Sequence, residues 1–168
     1  MRNSVLIISI RFIVLVGLQV TLFNHINFLG YINPLPYVLF IIALPFNMNK
    51  FWALGLAFFL GLTLDIFGNS GGVHTAACLI AIYVRPVLLR FSFGISFEYQ
   101  SLKLSGVPIN QRLVYISILV VIHHLVFFLL ETFNLSNILY TLQKTLFTGI
   151  FTIFLCILFQ ILFSAKQK

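Results

Sequence analysis

Apolar residues run along the chain in six blocks separated by short polar or glycine-containing stretches. The blocks cover about residues 5–23, 34–46, 51–67, 73–91, 112–133 and 138–163. Five of them have the length of a spanning helix, which needs ~20 apolar residues. The second block is shorter, and prolines flank it. Pro34 and Pro36 suit a helix start, and Pro45 suits its end or a kink. A full crossing and a tilted or re-entrant segment both remain open for this block. Asn24–Asn33, Gly68-Asn69-Ser70-Gly71-Gly72 and Asn134–Asn137 read as turns, and Ser92–Gln111 is the longest loop. The pattern predicts an all-α integral membrane fold: one compact bundle of six transmembrane helices covering residues 1–168. Six spans use about 120 residues, which leaves short loops and no room for a separate soluble domain.

Composition sharpens this reading. Of 168 residues, 61% are hydrophobic and 8% are charged, against about 25% charged in a soluble domain. The mean hydropathy is +1.10. Arg2 followed by an apolar run mimics a signal peptide, but Arg11 interrupts the run and no small-residue cleavage site follows. An uncleaved first helix is expected. The net charge of +7 would point to nucleic acid in a soluble protein; here the cations flank apolar blocks, as the positive-inside bias requires. With both termini in the cytoplasm, Arg2, Lys50, Arg85, Arg90, Lys103, Arg112, Lys166 and Lys168 all fall on the inner side. Omitting the second block as a crossing would invert every later loop. Cys78 and Cys156 sit inside apolar blocks without CxxC or Cys/His metal spacing, so neither a disulfide nor a metal site is expected.

The polar residues inside the blocks are few. Ala53, Ala57, Gly61 and Asp65 recur at four-residue steps on helix 3, and Ala77, Ala81 and Arg85 do so on helix 4. Small residues at that spacing allow backbones to approach closely, which predicts a tight helix 3–helix 4 hairpin. Asp65 and Arg85 belong at opposite ends of it and should not pair. Asp65 reads either as a helix-end carboxylate or as a partner or ion contact. Ser117, His124 and Glu131 are seven residues apart, so they share a face of helix 5 that is expected to turn from lipid, with His123 ~100° away. His124 is expected to bond a neighbouring helix. On helix 6, Lys144, Thr148, Thr152, Cys156 and Gln160 drift ~40° per step, so the row should wrap around the helix rather than line one wall. Lys144 and Glu131 lie near the same outer end and are expected to pair. Arg11 has the reach to snorkel to the cytoplasmic headgroups, or else to pair inside the bundle. In the long loop, Phe91, Phe93, Phe97 and Tyr99 mix with Glu98 and Lys103, which suits an interfacial segment. A phosphate loop, HExxH and a nucleophilic triad are all missing from the sequence, and the expectation is a non-enzymatic protein that contacts membrane lipids, without cofactors, nucleic acid or a small-molecule substrate.

The stretch from residue 33 to 90 carries a more specific signal. Asn33-Pro34-Leu35-Pro36-Tyr37 leads to Leu44-Pro45-Phe46, then Phe59-Leu60-Gly61-Leu62-Thr63-Leu64-Asp65-Ile66-Phe67, Gly72-Val73-His74-Thr75-Ala76 and Tyr83-Val84-Arg85-Pro86. In order and spacing this resembles the rod shape-determining MreD family. The likeness in sequence is concentrated in helices 2 to 4, about a third of the chain; helices 5 and 6 match only as apolar segments. The resemblance implies a bundle like the substrate-binding subunit of energy-coupling-factor transporters. It also implies a place in the bacterial inner membrane, in the machinery that organises peptidoglycan synthesis and cell shape during elongation. MreC would be the main partner, with MreB, RodA and a class B penicillin-binding protein in the wider complex. The alternative is a vitamin-type carrier subunit with an outer pocket lined by His25, Asp65, His74, Glu131 and Lys144. The first helix lacks the Ala-x-x-x-Ala docking motif typical of such carriers. A proton-coupled channel fits least well, because the polar residues are scattered.

Overall fold

A computed structural model describes residues 2–28, 30, 32–94, 104–133 and 137–165. The cations Lys103, Lys166 and Lys168, and the loop residues Phe97, Glu98 and Tyr99, lie outside the described residues. The fold is all-helical: α1 (Arg2–Thr21), α2 (Val38–Ile42), α3 (Lys50–Gly68), α4 (Val73–Phe93), α5 (Ile109–Thr132) and α6 (Ile138–Ala165). All but α2 are long and apolar enough to cross a membrane, so the chain is a multi-pass membrane protein. From α3 onward each helix packs on the next; α1 lies against α3, and α2 is inserted among α1, α4 and α5.

The α3–α4 hairpin is built from its sequence. Asn49 caps α3, its Oδ1 accepting from Phe51 N at 2.9 Å. The helix ends on Asn69 in the left-handed region, and Gly71 and Gly72, both at positive φ, reverse the chain. Ala53, Ala57 and Gly61 are then buried on α3, and Ala77 and Ala81 on α4. At Gly61 the two helices touch through backbone. A Cβ there would fall on Thr75 Cα and lie 2.7 Å from Thr75 N.

The second apolar block departs most from expectation. It is not a helix over 34–46: only Val38–Ile42 is helical, too short to span alone. Pro34 and Pro36 restrict Asn33 and Leu35 to extended backbone and carry no N–H, so the block enters as extended chain. It nonetheless runs through the bundle. Near its start, Gln19 Nε2 donates to Pro34 O (3.3 Å) and Leu35 N donates to Thr152 Oγ1 (3.0 Å). Near its end, Arg11 Nη1 donates to Ala43 O (3.2 Å) and Arg85 Nη2 to Leu44 O (2.5 Å). Between these anchors α1 recedes from Gln19 to Arg11, a rise of ~12 Å. Between the anchors residues 36–43 are turn and helix, and a helical rise of ~1.5 Å per residue already matches that distance. The block delivers the chain to Lys50 at the start of α3, where the Lys50 ammonium lies over the Tyr83 ring of α4 at 4.8 Å. Lys50, Arg90 and Arg112 thus share one end of the bundle.

The row on α6 also differs from expectation. Thr148, Thr152, Cys156 and Gln160 are all buried, with Lys144 partly so and Thr141 and Thr145 on the same side. A four-residue row is inclined ~26° to the helix axis, so a neighbour crossing along that row keeps all of it covered. The row lines one wall after all.

Candidate functional site

Three layers of polar side chains lie along the inserted segment. At the basic end, Arg85 is buried on α4. Its Nε donates to Tyr115 Oη (2.9 Å), Nη2 to Leu44 O (2.5 Å) and Nη1 to Pro45 O (3.3 Å), and its guanidinium lies 5.8 Å from the Phe46 ring centroid. Together with Arg11 on Ala43 O, two cations hold the carbonyls of the three residues that follow α2, at the negative end of its dipole. Arg11 therefore bonds inside the bundle. The three guanidinium nitrogens reach acceptors spread around Arg85, whereas the donors of a lysine all radiate from one atom.

Midway, α5 presents a stripe two residues wide on each turn: Tyr115/Ile116, Leu119/Val120, His123/His124 and Phe127/Phe128, all buried. The expected line of Ser117, His124 and Glu131 is not this face, since Ser117 is half-buried and Glu131 is exposed. His123, placed ~100° away by sequence reasoning, is as deeply buried as His124. A face covered by more than one neighbour is wider than a seven-residue line. His124 Nδ1 donates to Val120 O (2.9 Å), leaving Nε2 to accept from Thr152 Oγ1 (2.9 Å). Thr152 in turn accepts from Leu35 N. Tyr37 Oη lies 2.7 Å from His74 Nδ1 and 3.1 Å from His123 Nε2. Cys78 Sγ is 4.0 Å from the same His123 nitrogen. Tyr37 thereby ties the inserted segment to α4 and α5.

At the opposite end from Lys50, Arg90 and Arg112 lies a partly open pocket of about 270 Å³. Asn24, Asn33 and Leu35 close one side, Gly68, Ser70 and His74 the second, and Phe127, Phe128, Glu131 and Lys144 the third. Lys144 Nζ is 2.6 Å from Glu131 Oε2 and 4.8 Å from the Phe128 ring centroid. Asp65 is not part of this wall. Its carboxylate accepts from Ser70 Oγ (2.5 Å), His74 N (2.9 Å), Thr75 N (2.9 Å) and Thr75 Oγ1 (2.5 Å). An α3 side chain thus caps the first turn of α4, where N–H groups lack helical partners. Asp65 and Arg85 have separate partners.

No family model, curated protein or solved structure matches this chain.

Among the described residues no three His, Cys, Asp or Glu side chains converge to hold a metal. Of the residues named for an outer pocket, His74, Glu131 and Lys144 line the one observed. His25 is exposed at the end of a short 3-10 turn, and Asp65 is committed to α4. Sequence reasoning missed Tyr37, His123, Asn24, Asn33, Phe127 and Phe128. The available signals were Asn33-Pro34-Leu35-Pro36, which forces extended chain, and the adjacent His123-His124 pair. Neither says what it contacts.

Proposed function

We propose that the chain is a non-enzymatic membrane scaffold of the MreD type, seated in the bacterial inner membrane with both termini in the cytoplasm. It binds MreC and helps organise peptidoglycan synthesis during elongation. One observation carries the reading. The residues behind the resemblance form a connected framework: Tyr37 bonds His74, Arg85 holds Leu44 and Pro45, Asp65 caps Thr75, and Gly61 lies against Thr75. These motifs therefore specify how helices 2 to 4 assemble, so their order and spacing are a signature of this architecture. Arg11, Arg85, Tyr37 and Thr152 hold the inserted segment, and helix sides and short loops are the surfaces offered to partners. The basic end faces the cytoplasm by the positive-inside bias.

The test is purification of the tagged protein from its native membrane in mild detergent, with mass spectrometry of what accompanies it. Enrichment of MreC together with wall-elongation proteins supports the scaffold. A transporter ATPase module without MreC overturns it.

A further inference from the structure

The pocket holds an unused polar group. His74 is 6% exposed, its Nδ1 is taken by Tyr37 Oη, and among the described residues no group bonds its Nε2. That nitrogen lies 4.0 Å from where a Cβ on Gly68, another lining residue, would sit. The hydrogen-bond chain behind it decides which role it plays. His123 Nδ1 is buried and has no partner among the described residues. A buried orphan lone pair is tolerated better than a buried orphan N–H, so His123 carries its proton on Nε2 and donates to Tyr37 Oη. The Tyr37 hydroxyl then donates to His74 Nδ1, and His74 Nε2 is left as an N–H donor at the pocket. Asn24 and Asn33 add to the same character. Each uses its Oδ1 as an acceptor, from Gln19 Nε2 (2.8 Å) and Asn27 N (2.7 Å), which leaves the amide donors of two lining residues without a protein partner among the described residues. The two charged lining residues neutralise each other. Phe127, Phe128 and Leu35 supply apolar wall.

We infer that this pocket binds a small uncharged molecule with a planar ring and a carbonyl-type acceptor, the acceptor taking the His74 Nε2 proton and the ring lying against Phe127 and Phe128. The volume, about 270 Å³, is below the ~300–1,000 Å³ of sites for drug-sized ligands, so the occupant is smaller than those. The inference does not rest on the scaffold reading, and failure of either leaves the other standing.

Three probes of one shape separate the chemistry: benzamide, benzoate and benzamidine. They are titrated against the full chain in lipid nanodiscs and followed by saturation-transfer NMR, with affinities expected in the millimolar range for ligands this small. Benzamide is expected to saturate. Benzamidine, a cation without a carbonyl, and benzoate, whose charge would be desolvated while Lys144 is held by Glu131, are expected to bind at least about tenfold more weakly. His74→Phe removes the donor but also touches the core. Gly68→Ala is the safer variant, because its methyl meets only ordinary contacts at 3.8 and 4.0 Å while adding bulk to the pocket wall beside Nε2. It is expected to weaken benzamide about tenfold or more with an unchanged melting temperature. The inference is overturned by absence of saturable benzamide binding, by benzamidine or benzoate binding as well as benzamide, or by a folded Gly68→Ala protein that binds normally.

Discussion

Single residues act here chiefly by permitting or fixing contact between helices. Gly61 and Gly55 lie on the same helix with opposite surroundings: a Cβ at Gly61 collides with the Thr75 backbone, whereas at Gly55 nothing lies within 4 Å. Overpacking against backbone costs about 1–3 kcal/mol or more, so Gly61→Ala should lower stability by at least that amount. Gly55→Ala should be neutral or gain up to ~1 kcal/mol from helix propensity. Thermal unfolding followed with a thiol-reactive dye checks both, since Cys78 and Cys156 are free and buried and react only on opening. Equal melting of the two variants would mean that the hairpin is not packed through Gly61. Asp65→Ala leaves the N–H groups of His74 and Thr75 without their acceptor. The expected loss is about 1–3 kcal/mol, read by the same assay. A loss of partner binding with stability unchanged would instead make Asp65 a contact residue.

At the scale of elements, α2 is the one whose stability is borrowed. Five helical residues nucleate nothing alone, and the carbonyls of Ala43, Leu44 and Pro45 are held by Arg11 and Arg85. Arg85→Lys keeps the charge but not the fork, and orphans at least one carbonyl in an apolar interior. It should cost about 3–5 kcal/mol, while Arg90→Lys on an exposed part of the same helix should cost under ~1 kcal/mol. If both lysine variants melt alike, the clamp is not what holds α2. The five long helices were legible in the sequence because length and apolarity alone mark a span. The extended entry of the second block was written in Pro34 and Pro36, but an apolar block reads alike whether helical or extended. The buried stripe of α5 was hidden for a related reason: its lipid-facing side is as apolar as its core side, so no polar face marks the register. The pocket was half legible. His74, Glu131 and Lys144 stand out as polar residues in apolar surroundings, whereas Tyr37, Phe127 and Phe128 look like any other bundle filling. The Tyr37 contacts are joined across 37 and 86 residues of chain, which no local pattern encodes.

For the whole molecule, one structural feature sets the sidedness of everything after it. Because α3, α4 and α5 alternate in direction, Lys50, Arg90 and Arg112 gather at one end and Gly68–Gly72 at the other; if the block at 34–46 passes through, the basic end lies on the side of the α1 N-terminus, and if it turned back, on the side of the α1 C-terminus. The anchors favour passage, because Pro34 and Leu35 are tied to Gln19 and Thr152 whereas Ala43 and Leu44 are tied to Arg11 and Arg85. α6 returns antiparallel to α5, as Glu131 with Lys144 and His124 with Thr152 require, so its C-terminal end comes back toward the end occupied by Arg112. Asn47 and Asn69 are exposed just outside the two ends of α3, and the native cysteines are shielded. Asn47→Cys and Asn69→Cys can therefore be labelled one at a time with a membrane-impermeant maleimide on intact cells. Asn69→Cys should react at once, and Asn47→Cys only after permeabilisation. Labelling of both from the same side would mean that α3 does not cross, and the reverse pattern would put the basic end outside, as a re-entrant inserted segment requires and against the positive-inside bias. Reaction on opposite sides in the expected order would place the His74 pocket on the outer face, within reach of solutes on that side of the membrane.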